Sequence, residues 1–129
     1  MLMMRDEVRD MRDNIRMLLD TSERINSKTV SLTRCQLLAL LVYFADGLQY
    51  REMKAVLRIS DGKLISNLNR LEEMGLIEKS ATKLERKKLT VYSLTPEGKK
   101  TASKLARWMN LVQKVIKVSE KKCQAISIE

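Results

Sequence analysis

The sequence predicts a mainly α fold carrying one small β-hairpin, and three observations predict it. Gly (4) and Pro (1) are scarce while Leu, Lys, Arg, Glu and Met are plentiful, a composition that favours helices over a sandwich or barrel. Apolar residues recur at helical spacing on both sides of one interruption, residues 77–94, where the period becomes alternating. Helix punctuation brackets that interruption, with Gly75 as a stop before it and Thr95-Pro96-Glu97 as a start after it.

The 129 residues suffice for one domain with an appended oligomerisation element, and a 44% hydrophobic share argues against global disorder. Taken in order, Met4, Val8, Met11, Ile15 and Leu18 lie at alternating spacings of four and three, an a/d seam among Arg and Asp. So narrow a stripe needs a partner helix. Residues 20–31 read as a connecting loop. Thr33 and Gln36 form a capping box ahead of the apolar run Leu37 to Ala45, a buried helix ended by Asp46-Gly47.

A short helix is expected from Tyr50 to Leu57, with Met53, Val56 and Leu57 facing inward and a tight turn at Arg58-Ile59. Ser60 then caps a third helix running to Met74, with Gly75 as its left-handed stop. Strands are expected over Ile77–Lys83 and Lys88–Leu94, joined by the basic turn Leu84-Glu85-Arg86-Lys87. A long helix opens at Thr95-Pro96-Glu97 and extends to about Glu120. Three helices, a two-stranded hairpin and flanking N-terminal and long C-terminal helices make a winged helix-turn-helix arrangement. Its parts are residues 1–31 (helix and connector), 32–98 (the winged-helix domain) and 99–129 (C-terminal helix).

Charge points to the partner. The net charge is +9; residues 1–31 sum to zero, 32–98 to +3 and 99–129 to +6. A positive field of this kind attracts polyanions, nucleic acid above all. The chain has no histidine, which removes His-based acid–base and nucleophilic catalysis and every His-containing metal site. There is no phosphate-cradling Gly-rich loop and no paired-carboxylate pocket, so no enzyme, cofactor or metal is expected. Cys35 and Cys123 form no Cys-x-x-Cys pair and read as reduced thiols; a redox-sensing role is the minor alternative. No apolar run spans a bilayer and the N-terminus lacks a signal-peptide core, so a cytoplasmic location off the membrane is expected.

The third helix carries the functional case. Leu64, Leu68 and Leu71 line one face; the other presents Lys63, Ser66, Asn67 and Arg70, side chains suited to base edges and phosphates in a major groove. A solvated helix face is the plain alternative, and Ile65 is a reservation because it reaches partial exposure. The hairpin adds Lys83, Arg86, Lys87 and Lys88 at its tip, shaped to reach a minor groove or flanking phosphates, although charge also protects ordinary edge hairpins.

Ser60-Asp61-Gly62-Lys63-Leu64, then Asn67-Leu68-x-x-Leu71-Glu72-Glu73-x-Gly75-Leu76-Ile77, and Thr90-Val91-Tyr92-Ser93-Leu94-Thr95-Pro96-Glu97-Gly98 carry a family resemblance. Residues 34–98 resemble the winged-helix domains of MarR-like and PadR-like regulators. The resemblance implies homodimeric DNA-binding repressors or activators, with the third helix in the major groove and the wing on the minor groove. It implies DNA contacts from Lys63, Ser66, Asn67 and Arg70, and from Arg86 and Lys87. The chain departs from the family at the wing tip, where Glu85 and Leu89 stand in place of common Gly and Pro.

In the final helix Leu105, Trp108, Val112 and Val115 recur at three, four and three, more apolar surface than one small domain covers. Homodimerisation through this stripe and the Met4–Leu18 helix is the expected outlet, with Trp108 as a core anchor. A basic amphipathic helix on an anionic membrane is the weaker reading. The function expected is therefore sequence-specific double-stranded DNA binding by a homodimeric transcriptional regulator. The alternative is a protein-assembly or architectural winged helix without sequence readout. A small-molecule effector in the dimer cleft is left open.

Overall fold

The computed structural model describes the backbone of residues 5–127 and, among these, the side chains of all but 5–8, 11, 82, 84 and 118–127. Two compact units emerge, one of residues 27–103 and one of residues 1–26 with 104–129.

The first unit begins with a one-turn 3-10 helix, Ser27–Thr29, and continues through α2 (Leu32–Tyr43), α3 (Tyr50–Leu57) and α4 (Asp61–Glu73). Strands β1 (Ile77–Leu84) and β2 (Lys87–Leu94) pair antiparallel, from Ile77 opposite Leu94 to Leu84 opposite Lys87. Leu48, between α2 and α3, exchanges backbone hydrogen bonds with Tyr92 (2.9 and 2.8 Å) and so ties the helix layer to the hairpin. Leu37, Leu38 and Leu41 of α2, Met53 of α3 and Leu64, Leu68 and Leu71 of α4 are buried, as are Leu76, Ile77 and Leu94 beside them. The 3.6-residue period sets this outcome, because the α4 leucines at four and three share one face.

The two family-like motifs are fastened to each other at the strand ends. At the C-terminus of α4, Gly75 N–H donates to Glu72 O (2.9 Å) and Leu76 N–H to Leu71 O (3.0 Å), a Schellman closure that requires the positive φ of 74° at Gly75. Thr95 Oγ1 then donates to Gly75 O (2.6 Å), Thr95 N–H donates to Leu76 O (3.0 Å), and Gly98 N–H donates back to Thr95 Oγ1 (3.0 Å). A Cβ on the buried Gly98 would overlap the Leu76 carbonyl oxygen. The two motifs are therefore one joint that sets the base of the hairpin against the end of α4.

Several sequence expectations need correction. The cap of α2 is Ser31, whose Oγ accepts from Arg34 N–H (3.1 Å); Thr33 is buried inside the first turn and caps nothing. Val56 is 60% exposed, since an eight-residue helix buries only Met53 fully and Leu57 in part. The turn between the strands is shorter than the four residues expected, because Leu84 and Lys87 pair and leave only Glu85 and Arg86.

The second unit consists of α1 (Arg5–Glu23) and the greater part of α5 (Pro96–Ser127), a helix whose first residues belong to the winged-helix unit. Helix α1 takes in the first four residues of the expected connector, 20–23, and α5 outlasts the expected end at Glu120. Ser22 explains part of the extension: its Oγ donates to Leu18 O (2.6 Å) and accepts from the Trp108 indole N–H (2.7 Å), so a residue read as loop is a helix–helix fastener. No helix among the described residues is long and apolar enough to cross a membrane.

Candidate nucleic-acid interface

The start of α4 is held from two directions. Ser60 Oγ accepts from Lys63 N–H (3.2 Å), the N-cap bond that its side chain supplies. Asp61 accepts from the Tyr50 hydroxyl (2.6 Å) and pairs with Lys54 Nζ (2.8 Å), both on α3. Those two partners hold the Asp61 carboxyl below its ordinary value, and the same contact pushes the Tyr50 hydroxyl up to about 12. Asp61 sits on the positive end of the α4 dipole as expected, and its two contacts also tie α4 to α3.

With one α4 face committed to the core, the opposite face is set by arithmetic. At about 100° per residue, Gly62, Ser66, Asn69 and Glu73 lie farthest from Leu64, with Lys63 and Arg70 on one flank and Ile65 on the other. All seven are exposed. A shallow concavity of about 490 Å³ lies on this face, lined by Ser66, Asn69, Arg70, Glu73 and Ile65, by Gly62 near the cap, and by Arg34 from α2. Arg70 and Glu73 approach to 3.9 Å, a loose ion pair that leaves the guanidinium half exposed. Ile65, 48% exposed, offers an apolar contact of the kind a thymine methyl makes.

Of the residues expected on this face, Lys63, Ser66 and Arg70 stand together on its exposed side. Asn67 does not. It lies on the flank nearer the core, half-buried, where Oδ1 accepts from Arg34 Nε (3.1 Å) and Nδ2 donates to Lys63 O (2.7 Å). Its carboxamide is committed within the protein and is not presented to a base edge. Asn69 stands on the exposed side instead, where helical phase puts it, since it follows Ser66 by three. Arg34 had no signal in the sequence; it reaches the face only because α2 packs against α4.

The hairpin tip concentrates charge. Lys83 and Lys88 are directly opposed across the strands, and Arg86 and Lys87 follow at the apex, with Glu85 as the one acid. Like charges in direct opposition destabilise a strand pair, and a bound anion offsets that cost. Glu85 (φ 49°) and Arg86 (φ 68°) both occupy the left-handed region, the backbone of a two-residue type I′ connection that normally selects Asn-Gly. Lower in the hairpin, Lys79 is engaged by Glu72 (3.5 Å) and by the Tyr92 ring (5.7 Å to its centroid) and does not belong to the tip group.

The expected dimerisation residues divide. Met4 lies outside the described residues, as do the side chains of Val8 and Met11. Ile15 is 41% exposed; Leu18, Trp108, Val112 and Val115 are half-buried; Leu105 is already buried within the single chain, as is Leu111. Cys35 is half-buried and burial pushes its thiol up, away from thiolate chemistry, while the side chain of Cys123 lies outside the described set. Among the described residues no group of three or more Cys, Asp or Glu is placed to hold a metal.

Comparison with known proteins places this geometry. No curated protein matches the chain in sequence. Among solved structures, MepR, a transcription regulator of the Staphylococcus aureus multidrug efflux pump MepA, is 15% identical with a TM-score of 0.59, covering 98% of this chain and 94% of that one. The S. aureus MepR–DNA complex is 16% identical at a TM-score of 0.59 and covers 96% and 89%. Lactococcus lactis ZitR, solved as a cysteine-to-serine mutant, is 21% identical at 0.53 and covers 74% and 66%. Identities this low establish likeness of fold. The winged helix DNA-binding domain family matches residues 33–112, which contain the α2–α4 core, the hairpin and the joint at Gly75 and Thr95, and the chain belongs to that family.

Proposed function

We propose that this protein is a transcriptional regulator that binds double-stranded DNA sequence-specifically as a homodimer, with α4 in the major groove and the hairpin tip on the minor groove or its phosphates. The observation that carries the reading is the outer face of α4, where Ser66, Asn69 and Arg70 project from a helix fastened at both ends. A rigid helix with hydrogen-bonding side chains on its free face is what base-edge readout requires. The fold likeness to MepR, a protein solved bound to DNA, supports the DNA-binding reading. The reading reassigns one residue: Asn69 replaces Asn67 as the amide facing the bases, alongside Lys63, Ser66 and Arg70, with Lys83, Arg86, Lys87 and Lys88 on the backbone.

The homodimer is supported by the two-helix unit. A helix pair cannot enclose its own apolar side chains, and Ile15, Leu19, Met109 and Ile116 remain 41–59% exposed. A second copy would cover them, and two α4 helices about 34 Å apart would read a pseudo-palindrome.

The test is a fluorescence-anisotropy titration, at several salt concentrations, of a duplex selected from a random library against a scrambled duplex of equal length. Preference by about a thousandfold or more is expected for a sequence reader, and Arg70→Ala is expected to lose about 1–3 kcal/mol at one base pair. Equal and steeply salt-dependent binding to both duplexes would point to an architectural role. No binding at low salt would favour a protein-assembly module.

A further inference from the structure

The cations around α4 differ in what neutralises them. Arg70 faces Glu73 at 3.9 Å, Lys54 pairs with Asp61 at 2.8 Å and Lys79 lies 3.5 Å from Glu72. Arg34 is held by two uncharged acceptors: its Nε donates to the Asn67 carboxamide oxygen (3.1 Å) and its Nη1 to the Lys28 carbonyl. Among the described residues no carboxylate pairs with it. A full positive charge is thus fixed on the flank of the α4 face, lining the concavity that Ser66 and Arg70 share. Fixing a long side chain before binding removes most of the entropy that ordering it would otherwise cost.

From this geometry, and resting on the DNA-binding reading above, we infer that Arg34 is a DNA-backbone contact supplied from outside the recognition helix, donating to a phosphate beside the groove that α4 occupies. The two neutral acceptors explain why the contact goes to backbone and not to a base. They hold the guanidinium at the side of α4 through Asn67 and through the chain just before α2, so it cannot swing across to the groove floor. They also explain the Asn67 carboxamide, which is turned inward to orient Arg34 while its Nδ2 closes onto the Lys63 carbonyl (2.7 Å). Asn67 is therefore a positioning residue, and Arg34 is the residue that touches the nucleic acid. A phosphate contact is independent of sequence, so its signature is electrostatic.

The experiment measures the salt dependence of binding to a mixed-sequence duplex of about 30 base pairs for wild type, Arg34→Gln, Arg34→Lys, Asn67→Ala, the Arg34→Gln/Asn67→Ala double variant and Arg70→Ala, with thermal midpoints recorded for each. Arg34→Gln is expected to lower the slope of log K against log salt by about 0.9 and to weaken binding roughly five- to tenfold at 0.1 M salt. Arg34→Lys, which keeps the charge, is expected to keep the wild-type slope, and Asn67→Ala to lose affinity only where Arg34 is present. An unchanged slope in Arg34→Gln, beside weakened binding by Arg70→Ala, would overturn the assignment of Arg34 alone. So would equal losses in the Gln and Lys variants, since a fastener between α2 and α4 depends on the forked guanidinium and not on its charge. Failure of the wild-type protein to bind any duplex would instead remove the DNA reading, and this contact with it.

Discussion

Residues 27–103 and the pair formed by α1 and the distal part of α5 face the same requirement, to remove leucine, isoleucine and methionine side chains from water, and they meet it differently. In residues 27–103 three helices and a hairpin close over one core, with Leu37, Leu64 and Leu71 fully buried and Ile77 nearly so. In the helix pair, Leu105 and Leu111 are buried, yet Ile15, Leu19, Met109 and Ile116 are not. The first unit closes a core within the single chain while leaving Leu32, Tyr43 and Val56 at its surface; the second leaves apolar side chains along a helix pair, where the proposed second copy would cover them. Stability measured on this protein should therefore separate into a part independent of concentration and a part that depends on it.

The strongest way to break that comparison is to damage each unit once. Leu64→Ala opens a cavity in a closed core and is expected to cost about 2–5 kcal/mol at every protein concentration. Ile15→Lys places a charge where the proposed partner copy would sit. It should dissociate the dimer in sedimentation equilibrium and abolish the concentration dependence of the thermal midpoint, at a cost of several kcal/mol in association free energy. If Ile15→Lys leaves the assembly state and its concentration dependence untouched, the apolar face of α1 is not the dimer seam.

A different division, between local and tertiary signals, sets what the sequence makes legible. Elements whose local signals agree with their packing were legible: the α4 stripe of Leu64, Leu68 and Leu71, the Ser60 cap, the Gly75 stop and the Pro96 start all lie where spacing and end-residue chemistry put them. Misreadings arose where a tertiary contact outweighs the local signal. Ser22 looks like loop because Ser is a weak helix former, but the Trp108 indole makes it a fastener. Thr33 makes a plausible cap in isolation and is instead taken into the core. At the candidate interface, the cations of the tip and of α4 were visible because they are local. Arg34 was not, because its neighbour Asn67 is 33 residues away. Asn67 and Asn69 share a residue type, and only helical phase separates the half-buried one from the exposed one.

A smaller effect sharpens the contrast between stability and function inside the winged-helix unit. Non-glycine residues in the left-handed region cost about 1 kcal/mol each, and the wing tip holds two of them, Glu85 and Arg86. Glu85→Asn is expected to raise stability by several tenths of a kcal/mol and to leave DNA binding intact or improved, because it removes the one acid at the tip. Arg86→Gly should stabilise by about 1 kcal/mol and yet weaken binding to every duplex, with a slope lower by about one. Strain retained at a cationic tip fits the proposed use of that cation on DNA. Denaturant midpoints and salt titrations on the two variants would show both effects, and a destabilised Arg86→Gly would place the turn in another conformation.

The smallest expected effect concerns the tie between α3 and α4, and it is read through pH. Asp61 is held below its ordinary carboxylate value by Lys54 and Tyr50, and Tyr50 is pushed up to about 12 by the bond it donates to Asp61. A carboxyl depressed in the folded state contributes stability at pH values above its unfolded value of 3.8, and loses it as pH falls through the folded value. A phenol raised in the folded state contributes below its unfolded value of 10.0 and loses that contribution as pH rises toward 12. Asp61→Asn should therefore lower the thermal midpoint by a nearly constant small amount between about pH 5 and 9, with the difference from wild type shrinking at both extremes. Asp61 stands in solvent and Tyr50 is only half-buried, so water screens the pair and keeps the effect slight. Tyr50→Phe should remove the alkaline arm and keep part of the acid one, since Lys54 remains. Parallel pH profiles for wild type and Asp61→Asn would mean that the Asp61 charge contributes no stability, whether through Lys54, Tyr50 or the dipole of α4, and that α3 and α4 are held together by their buried residues, Met53 and Leu64, alone.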